Sequence, residues 1–179
     1  MNPYVVIDIG GTSIKYGLAD AEGQLLETHE MPTEAQKGGP HILKTTKEIV
    51  ARYLKKHALA GVAISSAGMV DPDKGEIFYA GPQIPNYAGT QFKKEIEETF
   101  QIPCEIENDV NCAGLAEVTT GHAKGSNNAV CLTIGTGIGG CLLLDGQVFH
   151  GFSNSACEVG YLHLPDGAFQ DLASTTALV

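Results

Sequence analysis

Asp8, Gly10, Gly11, Thr12 and Lys15 fall together in "VVIDIGGTSIKYGLAD" (residues 5–20), where an apolar β-branched run meets an acid, two glycines, a hydroxyl and a cation. Glycine has no Cβ to hold a ligand away, so a strand that ends at Asp8 and turns through Gly10 and Gly11 lets the backbone come close to an anion. Thr12 adds a hydroxyl and Lys15 a positive charge. The same residues also suit an ordinary hairpin whose glycines only relieve strain. A second stretch, "VCLTIGTGIGGCLLLD" (130–145), repeats the pattern with Gly135, Thr136, Gly137 and Gly139 in its turn. Two such turns offer backbone N–H groups and hydroxyls that can converge on a nucleotide phosphate clamped between two lobes.

A third group closes "CEIEND" (104–109), where Asn108 and Asp109 stand between a short strand and a helical-looking segment. An acid beside an amide that can hold a hydroxyl suits a general base. An Asp at that position equally suits a helix N-cap, and one residue can serve as both. In "SSAGMVD" (65–71), Ser65 and Ser66 suit buried hydroxyls bonded to backbone.

The elements that must hold these groups follow from hydrophobic period. Residues 5–20 read as a hairpin and "QLLETHEM" (24–31) as a third strand after a Glu22-Gly23 turn, so an antiparallel meander opens the chain. Residues 38–57 read as a helix, with Ile42, Thr46, Ile49, Val50, Tyr53 and Leu54 on one side. "GVAISSAGMVD" (61–71) reads as a buried strand running into a glycine turn, residues 89–103 as an amphipathic helix, 104–109 as a strand and 110–121 as a helix. Strands alternating with helices after a meander imply an α/β sheet. A new unit starts near Ser126, and Asp145-Gly146 makes a hairpin turn into its third strand.

The 179 residues suffice for one full domain or two small ones with a real apolar core. A net charge of −10, with no basic stripe, argues against nucleic acid as a main partner. There is no stretch of membrane-span length and no leader-like N-terminus, so a cytoplasmic protein is expected. The five cysteines, Cys104, Cys112, Cys131, Cys141 and Cys157, lack metal-site spacing and are expected to be free core thiols.

Four motifs in order, "DIGGTSIK" (8–15), "PNYAG" (85–89), "IPCEIENDVNCAGLAE" (102–117) and "TIGTGIGGCLLLDG" (133–146), resemble the ROK family of sugar kinases, within the actin, Hsp70 and hexokinase superfamily. The resemblance implies an actin-like ATPase (ribonuclease H-like) α/β fold, with an N-terminal lobe over 1–122 and the first part of a second lobe over 123–179. It implies Asp8, Gly10, Gly11, Thr12 and Lys15 in the first phosphate loop and Gly135, Thr136, Gly137 and Gly139 in the second. ATP and Mg²⁺ are the implied cofactors, with Asp8 facing the metal through water. Asn108 resembles the family's sugar-binding asparagine and Asp109 its catalytic base, while Gly68 lies in the sugar-facing loop.

Near its end the chain departs from the common pattern. Glu158 matches a sugar-binding acid, but Tyr161 stands where a histidine is usual, Ala168 falls on a zinc-binding cysteine, and Gln170 aligns with a second glutamate. No zinc site is expected, and the sugar site resembles that of the zinc-free branch that includes β-glucoside kinases. The chain resembles the front portion of a longer kinase whose intact form is a homodimer. The expected function is phosphorylation of the primary hydroxyl of a hexose or β-glucoside. The alternatives are a catalytically silent sugar-binding or regulatory module, and a repressor, for which no helix-turn-helix precedes Asp8.

Overall fold

The structure, a computed structural model, describes residues 2–179. The chain packs as two compact units, one running to Asp109 and the other from Val110 to Val179. The division falls ahead of residue 122, at the first turn of a helix. That helix carries Gly114, and a Cβ there would press on Cys141 and Leu143 of the second unit.

In the first unit, β1 (Tyr4–Ile9), β2 (Ser13–Ala19) and β3 (Leu25–Pro32) form the expected meander. Helix α1 (Gly39–Leu54) follows a Gly38 at φ 80, and then β4 (Gly61–Ser66) pairs parallel with β1. β4 ends at Ser66, just before Gly68 turns the chain at φ 94, so residues 61–71 form the expected strand running into a glycine turn. Beyond the turn, β5 (Met69–Asp71) leaves the main sheet to pair with β6 (Glu76–Tyr79), a strand that the residue pattern did not announce. Helix α2 (Phe92–Phe100) is shorter than expected because Gly89 (φ 86) and Thr90 belong to the preceding turn and Gln101, at φ 56, ends it. β7 (Cys104–Asn108) completes a five-stranded sheet in the order β3-β2-β1-β4-β7.

Alternation along the strands sends Val5, Ile7, Ile9, Val62, Ile64 and Ile106 to one face, where Ile42, Ile49 and Val50 of α1 and Phe92 and Ile96 of α2 complete the core. Asp8 and Ser65 therefore emerge on the other face, at the carboxyl ends of two parallel strands, where ligand sites in such sheets form.

Helix α3 (Asp109–Thr119) leads into the second unit. There β8 (Ala129–Ile134), β9 (Ile138–Leu144) and β10 (Gln147–Val148) form a small antiparallel sheet in the order β10-β9-β8. Asp145 at φ 51 and Gly146 at φ 76 make the tight turn between β9 and β10. β8 is an edge strand, and its alternate residues Val130, Leu132 and Ile134 are 63%, 50% and 61% exposed. A two-stranded ribbon of β11 (His163–Leu164) and β12 (Gly167–Ala168) precedes the short α4 (Phe169–Ala173).

No cysteine forms a disulfide, but only Cys104 and Cys141 are buried; Cys112, Cys131 and Cys157 are half-buried, against the expectation of five core thiols. The reason lies in the strands and turns that carry them. Cys131 sits on the edge strand, and Cys157 occupies a turn at φ 65. Burial pushes the Cys104 thiol up to about 12, with the Glu97 and Glu105 charges adding to it, as suits an inert core group.

Candidate active site

In the first unit, the glycine turn is tied at several points. Gly10 N–H donates to Ser13 O at 3.0 Å, closing the turn on itself. Thr33, only 1% exposed, braces it from outside: Thr33 Oγ1 donates to Gly10 O at 2.6 Å and its N–H to Thr12 O at 3.0 Å. Gly11 and Thr12 remain exposed, and a Cβ built on Gly11 would meet nothing within 4 Å. The turn is thus rigid while its outer backbone stays approachable, which is what capture of an anion by N–H groups requires.

Asp8 lies in register with Lys15 on one side and Ser65 on the other. Ser65 Oγ donates to Asp8 Oδ1 at 2.8 Å. No group of three or more His, Cys, Asp or Glu side chains that could hold a metal occurs among the described residues. A carboxylate beside an anion-binding turn fits Mg²⁺, which keeps much of its water and takes one or two carboxylates plus phosphate oxygens.

At the end of β7, Asn108 Nδ2 donates to Gly68 O at 2.9 Å and to Asp109 Oδ1 at 3.0 Å. Both partners are acceptors, so the amide's orientation follows from them. The Gly68 turn is itself secured. Ala67 N–H donates to Ile9 O at 3.0 Å, and Ser66 Oγ donates to Ala67 O at 2.9 Å. A hydroxyl has one hydrogen, so in the 2.7 Å contact between Ser66 Oγ and Tyr87 OH the tyrosine is the donor. Burial pushes the Tyr87 phenol well above its ordinary range, and the charge of Asp109 adds to the shift. Tyr87 consequently keeps its proton. The result is one connected set, Tyr87–Ser66–Ala67 and Gly68–Asn108–Asp109, which presents the exposed Asp109 carboxylate from the first turn of α3.

In the second unit, Gly135 N–H donates to Gly137 O, and Thr175 N–H donates to Gly135 O, both at 2.9 Å, holding the second glycine turn between β8 and β9. Gly135 and Thr136 are exposed, and a Cβ on Gly135 would meet nothing within 4 Å. Gly139 lies inside β9, where a Cβ would press on Val110 and Thr133 Oγ1. Glu158 begins a tight turn whose Tyr161 N–H donates to Glu158 O at 3.2 Å. Gly160 within it fits against β9 only because it lacks a side chain, since a Cβ would overlap the Ile138 carbonyl oxygen. Gln170 Oε1 lies 3.1 Å from the Cβ position of both Gly137 and Gly160. The structure therefore brings together the second glycine turn, the Glu158–Tyr161 turn and Gln170, three features far apart in sequence. The Tyr161 ring is half exposed, at 49%. His163, two residues on in β11, is exposed.

Two supports escaped the residue pattern. Thr33 looks like any polar residue at the end of a strand, and only its partners across the meander reveal its role. Tyr87 falls in "PNYAG", a motif carrying the family resemblance, yet its hydroxyl's partner lies 21 positions back.

Comparisons with known proteins bear on this arrangement. The ROK family model matches residues 4–172. Over all 179 residues the chain is 53% identical to an uncharacterized protein of Clostridium perfringens, of which it spans 61%. It is 36% identical over 156 residues to the β-glucoside kinase of Klebsiella pneumoniae, a match covering 87% of this chain and 50% of that enzyme. Its structure is similar to that of a ROK family glucokinase from Streptomyces griseus in complex with glucose and AMPPNP, with a TM-score of 0.84 at 30% identity. That likeness covers 98% of this chain and 58% of the glucokinase. The chain thus spans between half and about three fifths of these relatives' length.

Proposed function

Because the chain belongs to the ROK family and shares its actin-like ATPase fold, we propose that the intact protein carrying it transfers the γ-phosphoryl group of ATP to the primary hydroxyl of a hexose or β-glucoside in the cytoplasm. The observation that carries this reading is the Asn108–Asp109 pair, an exposed carboxylate held by an amide that is itself anchored to Gly68. Phosphoryl transfer asks the protein mostly for positioning and charge stabilisation, and rigid turns with approachable backbone supply both.

In this mechanism the Gly10–Gly11–Thr12 turn and the Gly135–Thr136–Gly137 turn bind phosphate oxygens through N–H groups and hydroxyls, with Lys15 adding positive charge. Asp8 would hold Mg²⁺ through its water. When bound, Mg²⁺ neutralises charge on the phosphoryl oxygens. Asp109 accepts the proton of the attacking sugar hydroxyl while Asn108, Glu158 and the Gly68 turn fix the sugar, and such general-base help is worth about two to four orders of magnitude.

The same reading extends to the substrate. Tyr161 offers a half-exposed ring on which a second sugar can stack, and Gln170 stands where an acid would otherwise grip a free reducing end. The likeness to a β-glucoside kinase supports the assignment. The test is a coupled assay of the intact protein with cellobiose, glucose, fructose and N-acetylmannosamine. We expect kcat/KM for cellobiose at least equal to that for glucose, and Asp109→Asn to lose at least about a hundredfold in kcat at nearly unchanged sugar KM. A preference of about tenfold or more for another of these sugars overturns the β-glucoside assignment. Turnover by Asp109→Asn close to wild type removes Asp109 as the base.

A further inference from the structure

We propose that Ser65 is a positioning residue that sets the orientation of the Asp8 carboxylate for its metal–nucleotide ligand. The inference rests on the kinase reading above and assigns a role to a residue which that reading does not use. Asp8 and Ser65 are directly paired in the parallel β1–β4 ladder, so their side chains leave the same face of the sheet side by side. Ser65 Oγ donates to Asp8 Oδ1 at 2.8 Å, and both residues are partly buried. An Asp side chain on a strand has a broad terminal torsion, so without a lateral donor its carboxylate plane is free to turn. The serine bond fixes that plane and engages one oxygen as an acceptor.

The arrangement also explains why a hydroxyl stands at position 65. The next residue, Ser66, is wholly buried and serves the Gly68 turn, whereas Ser65 faces away from the apolar core. An oxygen of Asp8 already oriented by a neutral donor keeps its negative charge for a cation, which a lysine or arginine at 65 would instead consume. Supporting hydrogen bonds of this kind tune metal binding without touching the metal.

The experiment measures Mn²⁺ binding to the intact protein with AMPPNP by electron paramagnetic resonance, alongside the Mg²⁺ dependence of turnover. Ser65→Ala should weaken Mn²⁺ binding by about tenfold and raise the Mg²⁺ concentration for half-maximal rate in parallel, with sugar KM and the thermal midpoint unchanged. Ser65→Thr, which keeps the hydroxyl and suits a strand, should restore both. Ser65→Ala with wild-type Mn²⁺ affinity overturns the proposal, as does failure of Ser65→Thr to rescue. If the wild-type protein binds no Mn²⁺·AMPPNP, the kinase reading fails and the proposal falls with it. A wild type that binds, matched by Ser65→Ala, sinks the proposal alone.

Discussion

Asn108 Nδ2 reaches Asp109 Oδ1 at 3.0 Å across the junction of β7 and α3, a bond between chain neighbours that lets a strand end orient the first acid of a helix. The two residues act as a unit, and their substitutions should not add. Asn108→Leu is expected to lower kcat/KM for the sugar by about a hundredfold, while the double variant with Asp109→Asn should be within about threefold of Asp109→Asn alone. Steady-state kinetics of the four proteins in the cycle check this.

The Tyr87–Ser66 contact is buried, so removing one partner is expected to cost more than removing both. Ser66→Ala leaves the Tyr87 hydroxyl without its acceptor and should destabilise the protein by about 1–3 kcal/mol, whereas adding Tyr87→Phe should recover part of that loss. Denaturant midpoints of the two single variants and the double variant measure the coupling. Additive losses would mean that the bond contributes nothing.

Two glycines should respond in opposite ways to alanine. Gly160 has no room for a Cβ beneath the Ile138 carbonyl, and Gly160→Ala should lower stability by about 1–3 kcal/mol. Gly11 is in open space, so Gly11→Ala should leave the unfolding midpoint unchanged while weakening AMPPNP binding. Calorimetry read for both unfolding and binding separates the two effects.

The Cys157 thiol is held above its ordinary value, first by burial and then by the charge of Glu158. A raised value means less thiolate at a given pH, so alkylation at pH 8 should be slower at Cys157 than at a free cysteine. Glu158→Gln removes the negative charge, lowers the value and should speed the reaction. Site-resolved mass spectrometry after timed iodoacetamide treatment reads the difference.

Much of this was legible from local pattern. The β-branched run before Asp8, the helical spacing of Ile42, Ile49 and Val50, and the repeated glycine turns each carry their structure within a short window. What stayed hidden depends on partners distant in the chain. The short strand β5 after the Gly68 turn is held by β6, outside the main sheet. Thr33 matters through Gly10, 23 positions earlier, and Gln170 through Gly137 and Gly160. Single-residue chemistry suggested Asp109 as a base or as a cap, and the geometry shows it at the first turn of α3 with its carboxylate held by Asn108.

The unpaired side of β8 has a practical consequence. A strand edge that alternates exposed Val130, Leu132 and Ile134, with no charged residue or proline between Ala129 and Ile134, is a template for further strands from other copies. Expressed by itself at high concentration, this 179-residue chain should enter inclusion bodies, and lysine at position 132 should raise its soluble yield.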